Sequence, residues 1–254
     1  MFFSEPPQTG YDLRFHIGPI PVRVHPLFWL ISLLMGANLQ DPKLIALWIG
    51  VSFLSILVHE LGHALAMIRY GERPRVVLYG MGGLAISDGG GTGGWARSKL
   101  VTGGRRARVW LEQVIISAAG PGAGFFLAIF VVVLIHLLGG SVSWDAPTLA
   151  RPIGYRIELD NPTLSLVAWM MLRVNIFWGL INLLPILPLD GGQIARAVFV
   201  ERDPWRGMER AIWLSVFTGG GVALVAFAVW HDFFLAIMIG SLAASNYAAL
   251  QRRW

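Results

Sequence analysis

The chain has 254 residues, of which 55% are hydrophobic and 14% charged, with a mean hydropathy of +0.61. Soluble domains carry about 25% charged residues, and apolar runs long enough to cross a bilayer recur here, so an ordinary soluble fold is excluded in favour of a multi-pass membrane protein. The net charge of +5 reflects arginines gathered in loops rather than a nucleic-acid surface, and the absence of cysteine leaves His, Asp and Glu to hold any metal.

The opening MFFSEPPQTGYDLRF is acidic and contains proline before any basic residue. That is not a secretory signal, and the first apolar span is expected to stay in the protein. Residues 11–24, YDLRFHIGPIPVRV, alternate. Leu13, Phe15 and Ile17 share one side, and Ile20, Val22 and Val24 repeat the pattern after a Gly-Pro turn. This predicts one or two short strands before the membrane.

Six transmembrane helices are expected, at about 26–39, 43–69, 109–138, 163–186, 211–230 and 232–249. The first is short enough to require tilting, extension or partial insertion. The loop at 69–108 carries the strongest cluster of Lys and Arg, which makes it cytoplasmic. Both termini then lie inside as well, and the inside segments hold 16 of the 20 basic residues. Within that loop RVVLYGMGGLAIS, residues 75–87, predicts a β-hairpin with a glycine-rich centre. Residues 88–108 are rich in Gly, Ser and Arg and are expected to be flexible. The outer loop at 139–162 is polar, with no predicted element. The expectation is a single domain over 1–254, an α-helical multi-pass membrane protein with short membrane-proximal β-strands and a core at about 43–193.

The second span contains SILVHELGHALA, residues 55–66. His59 and His63 are four apart, so on a helix they share a face and suit one metal ion. In an HExxH arrangement the glutamate, here Glu60, is the general base. Ionisable groups are costly within a membrane, which favours function over simple helix packing. A catalytic zinc usually has three protein ligands plus water, so a third His, Asp or Glu is needed at similar depth. His63 lies about 9 Å from the cytoplasmic end of its helix at Arg69. Two candidates remain near that depth: Glu112, at the inner start of the third span, and Asp190, at the end of NLLPILPLDGG, residues 182–192. Asp190 is preferred, because Pro185, Pro188, Gly191 and Gly192 break the backbone around it. Broken backbone at membrane depth is tolerated where it lines a cavity or is buried in protein.

HELGH on one span and NLLPILPLDGG on a later one resemble the site-2 protease family of intramembrane zinc metalloproteases. IPVRVHPLF, YGMGGLA and AGPGAG (119–124) are similar to that family's strands, hairpin and glycine-proline turn. The resemblance implies one zinc per chain held by His59, His63 and Asp190, with Glu60 as general base. It implies that Asn182 and Pro185 lie beside the substrate, Asn182 adding a catalytic hydrogen bond. Family members often carry Asn or Ser where Gly124 stands, so Gly124 is given no polar role. With no stretch suited to a PDZ or CBS domain, a compact form is expected. The implied activity is cleavage of single-span membrane-protein substrates in a bacterial cytoplasmic membrane, in contact with the lipid bilayer and a membrane regulator, without nucleic acid. The rival functions are a metal transporter, which would want more ligands along a path and a repeat, and a non-proteolytic scaffold. Arg173 and Asn175 also lie mid-span; helix-to-helix hydrogen bonding is the favoured role for Asn175, while Arg173 has no evident partner.

Overall fold

The computed structural model describes residues 5–80, 82–87, 106–146, 148–149 and 153–251. Most of the expected flexible loop at 88–108 therefore lies outside the described residues. The chain divides into two compact units. One comprises Met1–Arg106, Ala119–Val142 and Ile157–Gly179; the other comprises Ala107–Ala118, Ser143–Arg156 and Leu180–Trp254.

In the first unit β1 (Leu13–Ile17) and β2 (Ile20–Val24) form the predicted hairpin, paired Leu13 to Val24, with Gly18 at φ +55° in the turn. Helices α1 (Pro26–Gly36) and α2 (Pro42–Arg69) follow. Each begins with a capping side chain before a proline, which lacks the amide hydrogen a first helical residue would leave unbonded. His25 Nδ1 accepts from the Leu27 amide at 3.1 Å, and Asp41 Oδ1 from the Lys43 amide at 2.8 Å. α2 stops after Arg69, where Gly71 adopts φ +79°.

Strands β3 (Pro74–Tyr79) and β4 (Gly82–Ser87) make the second hairpin, turned at Gly80 with φ +60°. β3 runs parallel to β2, Val22 opposite Val76, so α1 and α2 together form the crossover that a parallel pair needs. The sheet order is β1-β2-β3-β4, which leaves β4 at an edge. One face of the sheet packs on α2. Val22, Val24, Val76 and Leu78 join Phe28, Ile56, Leu57 and Ala64 in a buried cluster. Across the sheet, Arg23 is held by Asp12 at 3.0 Å and Glu5 at 3.0 Å, and Glu5 also pairs with Arg75 at 2.7 Å. These ion pairs tie the leading segment to the strands.

α3 (Arg106–Leu137) contributes to both units, and its Ala119–Leu137 part belongs to the first. Gly139 at φ +79° and the Gly140 amide, bonded to the Ile135 carbonyl at 2.9 Å, close its end. α4 (Pro162–Leu172) is capped by Asn161 Oδ1, which accepts from the amides of Thr163 and Leu164. It continues through a π-helical segment, Arg173–Trp178, into α5 (Gly179–Asn182).

In the second unit α6 (Asp190–Arg202), α7 (Gly207–Ala228) and α8 (Phe233–Gln251) follow a turn over 183–189. Leu187, Ala211, Ile212 and Leu250 form its buried cluster. The Leu187 backbone is pinned on both sides: its amide donates to Ser215 Oγ at 2.9 Å and its carbonyl accepts from Asn246 Nδ2 at 2.6 Å.

Among the described residues, five helices are long and apolar enough to cross a membrane: Pro42–Arg69, Val109–Leu137, Pro162–Asn182, Gly207–Ala228 and Phe233–Gln251. The expected first span is a shorter apolar helix followed by a 3-10 turn, together Pro26–Leu39. At 11 residues α1 is about 16 Å long, half the thickness of a hydrocarbon core of about 30 Å. Three elements differ from expectation. α6 lies in the inner segment between the fourth and fifth expected spans, where no helix is expected. The loop read as featureless contains paired strands β5 (Ser141–Trp144) and β6 (Tyr155–Glu158), and the fourth span ends at Asn182 rather than near 186.

Candidate active site

Along α2 the buried positions Ser52, Ser55, Ile56, His59, Glu60, His63 and Ala64 recur at three- and four-residue spacing, forming one inward stripe. His59, Glu60 and His63 are each less than a tenth exposed. The imidazoles of His59 and His63 meet edge to face at 4.9 Å between centroids, with their Nε2 atoms 3.2 Å apart. Two nitrogen ligands about 2.0–2.1 Å from a tetrahedral zinc lie about 3.3 Å apart, so the pair has the spacing that a zinc ion requires.

Three glycines bring backbone against this stripe. A Cβ at Gly62 would lie 2.8 Å from Ala123 Cβ and would strike the Ala119 carbonyl, so α3 crosses α2 in close contact. A Cβ at Gly120 would lie 2.5 Å from His63 Cε1 and 2.6 Å from Cδ2. A Cβ at Gly83, on β4, would lie 2.6 Å from Glu60 Cδ and 2.8 Å from Oε1. Thus the sheet edge runs over the carboxylate, and the glycine-proline turn of α3 runs over the second histidine.

Asn175 is buried in the π-helical segment. Its Nδ2 donates to Ser55 Oγ at 2.9 Å and to the Met171 carbonyl at 2.8 Å. This is the interhelical hydrogen bond that the sequence favoured, placed one turn before His59. Gly124 and His59 line the same small cavity as Asn175, and a Cβ at Gly124 would lie 3.4 Å from Asn175 Oδ1.

The other sequence-derived residues lie in the second unit. Asn182 ends α5, Pro185 sits in the following turn, and Asp190 is the first residue of α6; all three are half-buried. Gly191 and Gly192 pack directly on backbone: a Cβ there would lie 2.6 Å from the Leu184 carbonyl oxygen and 2.5 Å from the Ile186 carbonyl oxygen, respectively. Any side chain at either position would push the 183–187 segment away and shift the start of the helix that carries Asp190. Glu112 is half-buried in the first turns of α3. The sequence carried no signal for the packing of Gly83 on Glu60, and for Asn175 it pointed to an interhelical hydrogen bond without naming Ser55 as the partner.

These features define a class: an integral membrane protein with a metallopeptidase HExxH motif on an apolar span. A family model described as Peptidase family M50 matches residues 46–226. The chain belongs to that peptidase family. It is 27% identical over 197 residues to a zinc metalloprotease of Methanocaldococcus jannaschii, covering 76% of this chain and 47% of the relative. The chain spans about half the length of the curated relatives it matches. A solved structure of a site-2 protease from Methanocaldococcus jannaschii aligns with a TM-score of 0.55 at 21% identity, covering 94% of each chain. At that identity the likeness is one of fold.

Proposed function

We propose that the chain is a zinc-dependent intramembrane endopeptidase that cuts a peptide bond within or near the transmembrane segment of a single-span membrane protein. The observation that carries this reading is the buried His59–His63 pair, at zinc-ligand spacing, with Glu60 between them beneath a strand edge. In this reading His59, His63 and Asp190 hold one zinc per chain. Family membership and the LDGG sequence support Asp190 as the third ligand. The catalytic core is residues 43–193 within a single functional domain.

Zinc, when bound, polarises a carbonyl and makes a water acidic near neutral pH. Glu60 takes the proton as water attacks the scissile carbonyl and returns it to the leaving amine. Asn182 donates a hydrogen bond to the developing oxyanion, and Pro185 lies along the substrate. A helical substrate hides its carbonyls in i to i−4 bonds and must unwind to be cut. Among the described residues β4 stands at the sheet edge, where it offers backbone partners for the unwound segment. The distribution of basic residues supports an orientation with both termini inside. The membrane in this reading is a bacterial cytoplasmic one, in which a membrane regulator meets the enzyme.

The test is zinc content and cleavage of a single-span reporter by detergent-purified wild type, Glu60→Gln and Asp190→Ala. The expected result is about one zinc in wild type and in Glu60→Gln, loss of zinc in Asp190→Ala, and cleavage by wild type alone. Cleavage by Glu60→Gln at the wild-type rate would overturn the base assignment. Full zinc retention by Asp190→Ala would overturn the ligand set.

A further inference from the structure

Arg173 stands eleven residues after Pro162 and nine before Asn182, at the middle of an apolar span. A charge at that depth is costly unless it meets a partner. Its side chain is exposed, and among the described residues no carboxylate pairs with it. Two aromatic rings hold it instead. The guanidinium carbon lies 5.5 Å from the Trp169 ring centroid and 5.4 Å from that of Phe177, four residues before and four residues after. Such contacts attract the cation but leave its N–H donors unused.

Three further observations define what meets it. First, Asn175 turns toward α2 to reach Ser55, and residues two apart on a helix point to nearly opposite sides, so Arg173 faces away from α2 and its His59–Glu60–His63 stripe. Secondly, Arg173 is about 16 Å and about 14 Å from the two ends of its span, too far for an arginine to snorkel fully to lipid phosphates, and the rings above and below hold it level. Thirdly, a second copy of the chain offers no match. The carboxylates within the described spans are Glu60, which is buried, and Glu112 and Glu209, which lie within the first turn of their spans.

We propose that Arg173 is the docking point for a membrane-spanning helix of another protein that carries a carboxylate at mid-bilayer depth. This helix lies against the side of the Pro162–Asn182 span that faces away from α2, and it is held without being cut. The charge complementarity fixes both the chemistry and the depth of the partner, and bidentate pairing would use the guanidinium donors that the rings leave unused. The proposal rests on Pro162–Asn182 spanning a membrane, not on proteolysis, so either reading can fail without the other.

The test uses the full chain in phosphatidylcholine nanodiscs and fluorescent single-span Leu-Ala peptides. One peptide has a central Glu, one a central Gln, and one has its Glu near an end. Energy transfer reports association. The expected result is that the central-Glu peptide binds wild type at least ~10-fold more tightly than the other two, the scale of a favourable charge-assisted contact. Arg173→Leu is expected to abolish the preference, and Arg173→Lys to keep part of it. Equal binding of the central-Glu and central-Gln peptides to wild type would overturn the proposal, as would a preference that survives in Arg173→Leu. Should Arg173→Leu not fold, the three-peptide comparison on wild type decides. Cleavage of the central-Glu peptide by the zinc-loaded chain would identify the occupant as substrate and overturn the non-cleaved partner.

Discussion

Replacing Gly83 with alanine tests whether strand β4 sets the position of Glu60, the proposed base. The new methyl carbon would strike Glu60 Cγ and fall 2.6 Å from Cδ, whereas ordinary contact begins near 3.4 Å, so strand or side chain must move by about 1 Å. Glu60 is buried on a rigid helix and β4 is paired along its length with β3, from Pro74–Ser87 to Tyr79–Gly82, so neither yields freely. Overpacking of this kind costs about 1–3 kcal/mol of stability. A misplacement of about 1 Å in a catalytic group costs about 100-fold in rate. Gly83→Ala is therefore expected to cut a single-span reporter about 100-fold more slowly while keeping its zinc, because the nearest atoms to the new carbon all belong to Glu60 and none to a histidine. Gly82→Ala is the control: nothing lies within 4 Å of a Cβ there, and its rate should stay near wild type. Zinc is measured by metal analysis and rate by gel-resolved cleavage in the same detergent. If Gly83→Ala cleaves as fast as Gly82→Ala, β4 does not position Glu60 and the reasoning fails.

Gly120→Ala is expected to act on the metal rather than on the base, since its methyl would press on the His63 ring. Zinc affinity should fall about 10- to 100-fold, as when the surroundings of a metal ligand are disturbed, and competition with a chromogenic chelator reads it. Unchanged affinity would show that the ring moves without consequence. The leading segment should be acid-sensitive. Burial raises the pKa of Asp12, but two hydrogen bonds from Thr9 and the bond and charge of Arg23 outweigh it, holding the carboxyl down from 3.8 to about 2. A depressed pKa stabilises the folded form above the unfolded value and stops doing so as pH falls through the folded one. Hydrogen-exchange protection of the β1–β2 hairpin should thus be constant above about pH 4 and decline toward pH 2, and Asp12→Asn should remove that decline. A protection profile identical in the two proteins would show that the Asp12–Arg23 pair does not hold the hairpin.

The elements that the sequence displayed are those whose signals are local. Asp41-Pro42 and Arg69 mark α2 to within a residue, because cap, proline and terminal cation sit in adjacent positions. The strand pair Leu13–Ile17 with Ile20–Val24 showed as alternation around a glycine turn, and Pro74–Tyr79 with Gly82–Ser87 as an apolar stretch with a glycine-rich centre. What stayed hidden has no local signature. The π-helical stretch RVNIFW has the composition of any apolar helix. SVSW and YRIE are four-residue strands, too short for a period-two pattern to stand out. DGGQIARAVFVER is polar enough to pass for the inner loop in which it was placed. Within the site, the HExxH spacing made His59, Glu60 and His63 readable as a set. The identity of what touches them was not, because a glycine in a sequence does not say which backbone it admits.

That last point bears on how a membrane helix tolerates the HELGH stripe at all. The neighbours of Glu60 and His63 at Gly83 and Gly120 are backbone rather than side chains. Backbone at close range displaces lipid and brings amide and carbonyl dipoles near the polar groups, which lowers the burden of placing them at membrane depth. If Glu60 is the base, as proposed, the strand over it takes part in positioning the chemistry. Among the described residues β4 is an edge strand, with no strand paired on its outer side, while at Gly83 it lies on the carboxylate. A substrate segment that pairs with this edge would stiffen the strand that fixes the base. Proline substitutions in an extended substrate at positions that bond to β4 should therefore lower the cleavage rate at saturation, beyond weakening binding, whereas a purely anchoring strand would change KM alone.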